Sequence, residues 1–425
     1  MQTNLSQSFY DAIVIGGGHT GLSMSYYLNQ NNIDHLVLER GRIGESWRSQ
    51  RWDSFKLNTP NWINVLPGDS YKRTDRDGFT SSNDFADSLS AYTLKFYLPV
   101  VENSEVISLN KSPDTQRFRI LVSENGNVKH YSSRKVVIAS GCMNEKLVPK
   151  FAKNISQGIL QLHASEYKNP FQLPPGNVLI AGSGQSGCEI AEDLLDSRRN
   201  VFFSTSMVPR TPRRYRGRDI MEWLILTKFM DVRKDEITDP QMLNMRQPQF
   251  SGTGKLGHTI SLQSLSGRGA RILGKLYDAD KTTVHLHPDA IMHVRFADGF
   301  SKKIKDMIDG YIKQTGLDAP EAEPDIADEP DISADCAWDI TKLNLEDNNI
   351  KTIIWTTGFG ANFNWIKLPV IDKEGKPKYK SGISEVDGLY FLGFPWLRKR
   401  KSGIIFGINE DSEFISELVC DHRQN

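Results

Sequence analysis

Cysteine is scarce in this chain: four in 425 residues, at Cys142, Cys188, Cys336 and Cys420, far apart and with no CxxC pair. That spacing argues against a disulfide framework, a zinc site and a dithiol redox centre, and it suits thiols kept reduced in a cytoplasm. No apolar run approaches the roughly 20 residues of a membrane-spanning helix. Met1 to Ser8 is polar and leads directly into a strand pattern, which disfavours a secretory signal peptide. Charge of one sign is not in excess either. Lysine and arginine number 52 and aspartate and glutamate 52, so the formal net charge is zero. Neither nucleic acid nor an anionic membrane is therefore expected as a partner. What remains is an ordinary globular composition, 38% apolar and 24% charged, in a length that suits two or three domains.

Glycine, by contrast, is placed with a pattern. Phe9 to Ile15 reads as a strand buried on both faces and runs into Gly16-Gly17-Gly18-His19-Thr20-Gly21, followed by a helical stretch from Leu22. The spacing is GxGxxG. Gly16 permits the tight turn, Gly18 lets a pyrophosphate approach the backbone, and Gly21 lets helix and strand pack closely. A second strand, Leu36-Val37-Leu38, ends in Glu39, where a carboxylate should meet the ribose hydroxyls of a dinucleotide. Arg40 follows it directly.

The pattern recurs. Val178 to Ala181 reads as a strand, Gly182-Ser183-Gly184-Gln185-Ser186-Gly187 repeats the spacing, and Ile190, Ala191, Leu194 and Leu195 form the apolar stripe of the next helix. The strand Val201-Phe202-Phe203 then ends in hydroxyls, Ser204, Thr205 and Ser206, with arginines at 210, 213, 214, 216 and 218. A carboxylate would repel a 2′-phosphate, whereas these hydroxyls with Arg213 and Arg214 would hold one, so NADPH is expected here over NADH. A solvated basic face is the competing reading of the arginines.

Two such turns predict an α/β fold with two Rossmann-like dinucleotide-binding domains, the NADPH domain inserted into the first, which the resemblance given below makes the FAD domain. Residues 133–141 and 351–359 look alike, and they are read as the points where the chain leaves the first domain and returns to it. The expected division is 1–175 and 337–425 for the first domain and 176–336 for the second. An acidic, exposed connector is expected near 317–336. An amphipathic helix is expected from about Lys302 to Gln314, packing on its own domain or serving a homodimer.

Gly44-Glu45-Ser46-Trp47-Arg48 fits a G-x-x-W-R element, and Thr356-Thr357-Gly358-Phe359 ends the second buried strand. With the two glycine turns in order, the chain from Gly16 to about Gly407 resembles the single-chain FAD/NADPH-dependent flavin-containing monooxygenases, the class B flavoprotein monooxygenases. Within them it is nearest to bacterial flavoproteins that carry a cation-transport label. The resemblance implies FAD along the first turn, with Ser46, Trp47 and Arg48 beside it, and Val106 meeting its adenine. It also implies Asn58 as the catalytic residue at the reactive face of the flavin, and Gly403-Ile404 at its pyrimidine edge. The family's linking fingerprint survives only partly, in Gly158, His163 and Tyr167, with a changed spacing and no leading aromatic.

The activity so implied is an NADPH-dependent monooxygenase that forms a C4a-(hydro)peroxyflavin with molecular oxygen. Its substrate would be a small or carrier-bound organic molecule. Tyr167, where Baeyer–Villiger enzymes usually have Trp, tilts the expectation towards oxygenation of nitrogen or sulfur. Oxygenation of a ketone or polyketide intermediate stands as the alternative, and a redox sensor that binds both cofactors without oxygenating anything is the alternative of another class.

Overall fold

The computed structural model describes residues 8–70, 75–244, 247–249, 252, 256–329 and 340–421. Two sheets organise it. In the first, the strands run Val100–Val101, His35–Leu38, Ser8–Ile15, Asn127–Ile138, Phe118–Glu124, Ser104–Lys111, with Leu389–Phe391 also paired to Asn127–Ile138. Ser8–Ile15 is parallel to both its neighbours, while Phe118–Glu124 and Ser104–Lys111 are added antiparallel. Helices His19–Gln30 and Ile405–Cys420 pack against each other, and Tyr27 Oη donates to Asn409 Oδ1 between them. With both faces covered, Ala12, Ile13, Val14 and Ile15 are all buried, which is why that strand is apolar without alternation.

The second sheet is parallel throughout, in the order Arg271–Leu273, Val201–Ser204, Asn177–Ala181, Ile350–Trp355, Leu160–His163. This pairing reaches across both expected boundaries. Leu160–His163 lies before residue 176 and Ile350–Trp355 lies after 337, yet both pair within the second sheet. The reason is topological: each glycine turn needs a parallel strand beside the one that feeds it. Asn127–Ile138 fills that place in the first sheet and Ile350–Trp355 fills it in the second, so the two segments look alike because they do the same job. The chain rejoins the first sheet later, where Leu109 pairs with Trp365 and Lys367 and where Leu389–Phe391 adds on.

Two further expectations change. The long helix spans Ala290–Thr315, beginning twelve residues before the expected Lys302, because its first turns bury His293, Ala297 and Ser301 and show no apolar stripe. Its apolar face, with Ile304 and Ile308, packs on Tyr215, Ile220 and Trp223 of the same chain. The acidic stretch is not a free connector up to residue 329. Asp325 accepts a bond from Thr259 Oγ1, and Asp328 pairs with Arg210 and Lys305, since a buried guanidinium needs carboxylates close by. The rest of that stretch, and the 336/337 boundary, lie outside the described residues. Among the described residues no helix is long and apolar enough to cross a membrane.

Candidate active site

The two glycine turns are built alike. Gly16 and Gly182 both have φ of +116°, a conformation that glycine adopts at no steric cost. A methyl group on Gly16 would sit 2.5 Å from the Ala139 carbonyl oxygen, and one on Gly182 2.7 Å from that of Thr356. On Gly21 it would meet the Gly16 oxygen at 1.8 Å, and on Gly187 the Gly182 oxygen at 2.0 Å. Gly18 and Gly184 differ: a methyl there would meet nothing within 4 Å. Each of these open glycines is the N-cap of a helix, His19–Gln30 or Gln185–Asp196, with no side chain capping it. Uncapped N–H groups and an open approach together make a cradle for an anion such as a diphosphate.

Around the first turn, Glu39 Oε2 accepts from the Gly17 N–H at 2.6 Å and Oε1 from the Gly41 N–H at 2.8 Å. Burial pushes the Glu39 carboxyl up, and those two N–H bonds oppose the shift. A cavity of about 500 Å³ opens here, lined by Gly16, Glu39, Arg40 and Val106 among others. The strand pairing thus brings together four residues that lie up to 90 positions apart in the chain. Thr20 is buried against Gly393 of the returning segment. His19 Nε2 is buried with no hydrogen-bond partner, and burial holds the imidazole down at about 4, so it is neutral at pH 7. Ser46 is exposed on the short helix Glu45–Ser49. Arg48 is drawn away to the helix Ser82–Lys95, where it bonds Asp87 at 2.7 Å and Ser90.

The hydroxyls and most of the arginines after the second turn are engaged with protein groups. Ser204 Oγ donates to the Gly274 carbonyl and Thr205 Oγ1 to that of Leu273. Ser206 is held through its N–H by Ser183 Oγ. Arg210, Arg216 and Arg218 each pair with a carboxylate: Asp298 and Asp328, Asp309, and Glu222. Arg213 is wholly buried and paired with Asp219 at 2.7 Å. Burial forces the pairings of Arg210 and Arg213, because an unpaired guanidinium inside the fold is costly. Arg214 differs: Nη2 donates to the Gly217 carbonyl, while Nη1 is buried without a partner.

Arg213 turns up instead at the seam between the two units. Its Nη1 donates at 2.7 Å to the backbone oxygen of Asn58, and its guanidinium lies over the Phe79 ring. Asn58 Oδ1 is buried and has no partner. The seam is tied further by Ser54 Oγ and Tyr167 Oη, both donating to Asp193 of the helix Gln185–Asp196. Tyr167 and His163 are thereby structural: His163 Nδ1 bonds Ser165 Oγ and Nε2 bonds the Gly358 carbonyl oxygen. At the C-terminal side, Ile404 is the uncapped residue before the helix Ile405–Cys420, next to Gly403 with φ of +84°. Lys401 beside them is spent on Asp231 and Glu410.

Two seam residues escaped the sequence reading, Arg51 and Glu189. Glu189 Oε1 accepts from Gln185 at 2.7 Å, and Oε2 is buried without a partner. Burial, with Glu192 nearby, pushes its carboxyl up to about 8 against the pull of Arg51 and Arg213. A carboxyl raised in the folded state holds its proton while the unfolded chain has lost it. The stability contributed is therefore present below the ordinary glutamate range and lost as pH rises towards 8. Glu189→Gln is expected to be nearly neutral at pH 5 and stabilising at pH 9. The gap is a few kcal/mol, at about 1.4 kcal/mol per pKa unit. Thermal melts of both proteins at the two pH values check it, and parallel Tm profiles would refute it.

Residues 13–237 match the family model described as pyridine nucleotide-disulphide oxidoreductase. A CzcO-like oxidoreductase of Geobacillus kaustophilus, itself uncharacterized, is 32% identical over 98% of this chain and 100% of its own. A probable indole-3-pyruvate monooxygenase of Arabidopsis thaliana, YUCCA10, is 30% identical over 58% of this chain and 63% of its own. The fold is similar to that of a flavin-containing monooxygenase from Stenotrophomonas maltophilia, with a TM-score of 0.65 and 18% identity over 97% of this chain and 98% of that one. Matched over more than half its length by the family model, and over nearly all of it by the Geobacillus protein, the chain belongs to the pyridine nucleotide-disulphide oxidoreductase family, alongside the CzcO-like oxidoreductases.

Proposed function

We propose that this oxidoreductase is an NADPH-dependent flavin monooxygenase that oxygenates nitrogen or sulfur in a small or carrier-bound organic substrate. The observation that carries the reading is Asn58 at the seam, its amide oxygen buried and without a partner while Arg213 holds its backbone oxygen. A polar atom left so costs stability unless a bound group completes it. The residues fit two dinucleotides. FAD is assigned to Gly16, Gly18, His19, Thr20, Gly21, Glu39, Arg40 and Val106, with Trp47 and the Gly403-Ile404 turn towards its ring. NADPH is assigned to Gly182 through Gly187, with Arg214 for the 2′-phosphate. When bound, the flavin supplies hydride acceptance from NADPH and reactivity with oxygen.

The chain's own part is to place and shield. Uncapped helix N-termini hold the two diphosphates by backbone N–H groups. Glu39 keeps the first turn shaped through the Gly17 N–H. Asn58 presents its amide to the reacting centre, positioned through its backbone by Arg213. The names of the relatives support monooxygenation, and Tyr167, standing where Baeyer–Villiger enzymes usually have Trp, tilts the reading away from a ketone substrate. The test is to load the protein with FAD, reduce it with NADPH without oxygen, and admit air with panels of amines, sulfides and ketones. Oxygenated amine or sulfide is expected. Reoxidation to hydrogen peroxide alone, with every panel member unchanged, would sink the proposal in favour of a sensor or oxidase.

Asn58→Ala is expected to reduce its flavin with NADPH within about threefold of the parent rate. Product formed per NADPH consumed should fall at least tenfold, with peroxide making up the difference, since a misplaced reacting group typically costs of order 10²-fold. Stoichiometric measurement of product and peroxide decides it. An unchanged ratio would remove Asn58 from the reaction.

A further inference from the structure

Arg51 is a cation without an ion-pair partner among the described residues. Its guanidinium lies over the Trp47 ring at 5.1 Å and the Phe55 ring at 5.2 Å, and its one hydrogen bond goes to the neighbouring Gln50 carbonyl. Among the described residues no carboxylate comes within ion-pair distance of it, whereas Arg213, also at the seam, has Asp219. The facing acid is Glu189 across the seam. It does not pair with Arg51, its Oε2 has no partner, and its burial keeps it protonated at pH 7. Lys168 adds to the excess rather than relieving it, donating its ammonium to the Ser49 and Arg51 carbonyls. Asp53 lies near Lys168, and Asp193 takes the Ser54 and Tyr167 hydroxyls, so Arg51 keeps a planar donor fork that none of these acids pairs. A guanidinium stacked on aromatic rings is pre-oriented for two-point bonding to a planar oxyanion.

We propose that Arg51 is the binding residue for the carboxylate of an organic substrate. The proposal rests on the monooxygenase reading only for the word substrate; the anion site stands without it. The carboxylate is favoured over a dinucleotide phosphate because each dinucleotide already has a cradle of its own, at Gly18 and at Gly184, whose open faces and uncapped helices take its diphosphate. Arg51 is left for a third anion. Glu189, neutral, would donate to such a carboxylate rather than repel it, and Trp47 and Phe55 would cover the apolar part of the same molecule.

The experiment uses the FAD-loaded protein, with sodium benzoate as the carboxylate probe and NADP⁺ as the dinucleotide probe. Flavin absorbance and tryptophan fluorescence report both titrations, for the parent, Arg51→Met and Arg51→Lys. Arg51→Met is expected to weaken benzoate binding about tenfold to a hundredfold, the usual worth of a charge-assisted bond. NADP⁺ affinity and FAD retention should stay within about twofold, and Arg51→Lys should recover part of the loss. Weakened NADP⁺ binding or lost FAD, with benzoate binding unchanged, would overturn the substrate assignment and move the oxyanion to a dinucleotide. Parent and Arg51→Met indistinguishable with every probe, both folded by near-ultraviolet circular dichroism, would overturn the site itself. Because the readout is binding, failure of the oxygenation panels above would leave it standing.

Discussion

Gly21→Ala is expected to yield a protein that purifies colourless and whose affinity for added FAD has fallen at least a hundredfold. The added methyl would lie 1.8 Å from the Gly16 carbonyl oxygen and 3.0 Å from its carbon. That neighbour is backbone, and it is already pinned by the Gly16 N–H bond to the Leu38 carbonyl. Neither side has a flexible end that could yield, so the turn must open and the helix His19–Gln30 must move off its strand. The cradle depends on that contact, because the uncapped N–H groups point at a ligand only while helix and turn keep their register. Gly187→Ala repeats the experiment on the other turn, with contacts of 2.0 Å to the Gly182 oxygen and 2.9 Å to Thr356 Oγ1. Its expected phenotype is different: FAD retained, and the KM for NADPH raised at least tenfold. Gly18→Ala is the control. Its methyl meets no protein atom within 4 Å, so the melt should match the parent while FAD affinity falls, because the methyl takes the ligand's space. Flavin content by absorbance and fluorescence titration measure all three. A Gly21→Ala protein as yellow as its parent would remove the first turn from cofactor binding.

These contacts also explain how far the sequence could be read. A glycine turn is local: strand, turn and helix are contiguous, and the first and third glycines are demanded by atoms within six residues or by one neighbouring strand. Glu39 was legible for a similar reason, since a short connection returns the next strand beside the first. The partner strand was not, because Ile350–Trp355 lies 168 residues beyond the turn it supports, with nothing in its own pattern to say which sheet takes it. Side-chain commitments were hidden as well. Ser204 and Thr205 stand where phosphate-binding hydroxyls would stand, but the carbonyls of Gly274 and Leu273 reach them first. The arginine cluster looked like a phosphate trap because its acids, Asp298, Asp309 and Asp328, come from a distant helix and the stretch after it. Arg51 and Glu189 were invisible for the converse reason. What marks them is a missing partner, and a sequence cannot display one.

The seam sets up the second large effect. Arg213→Met is expected to lower stability by about 3–5 kcal/mol, the usual result of removing one side of a buried ion pair, and Tm by roughly 5–15 °C. Asp219 is only 2% exposed, and it would be left with a charge facing no cation. Its Oδ1 also caps the helix Ile220–Leu226 through the Met221 N–H, so the acid cannot simply turn away. Adding Asp219→Asn should restore much of the loss, because the amide oxygen can still cap and no bare charge remains. Asn58 distinguishes positioning from mere stability. In the single and the double variant alike, its carbonyl loses the 2.7 Å bond from Arg213 and the loop from Leu57 to Pro60 is no longer held against the second unit. Product per NADPH should therefore fall in both, and it should stay low in the double variant even where Tm has recovered. Arg213→Lys can reach either Asp219 or the Asn58 oxygen, having one nitrogen where arginine has three, and should lie between. If the double variant regains full product yield together with its Tm, Arg213 serves the fold alone and Asn58 is placed by something else.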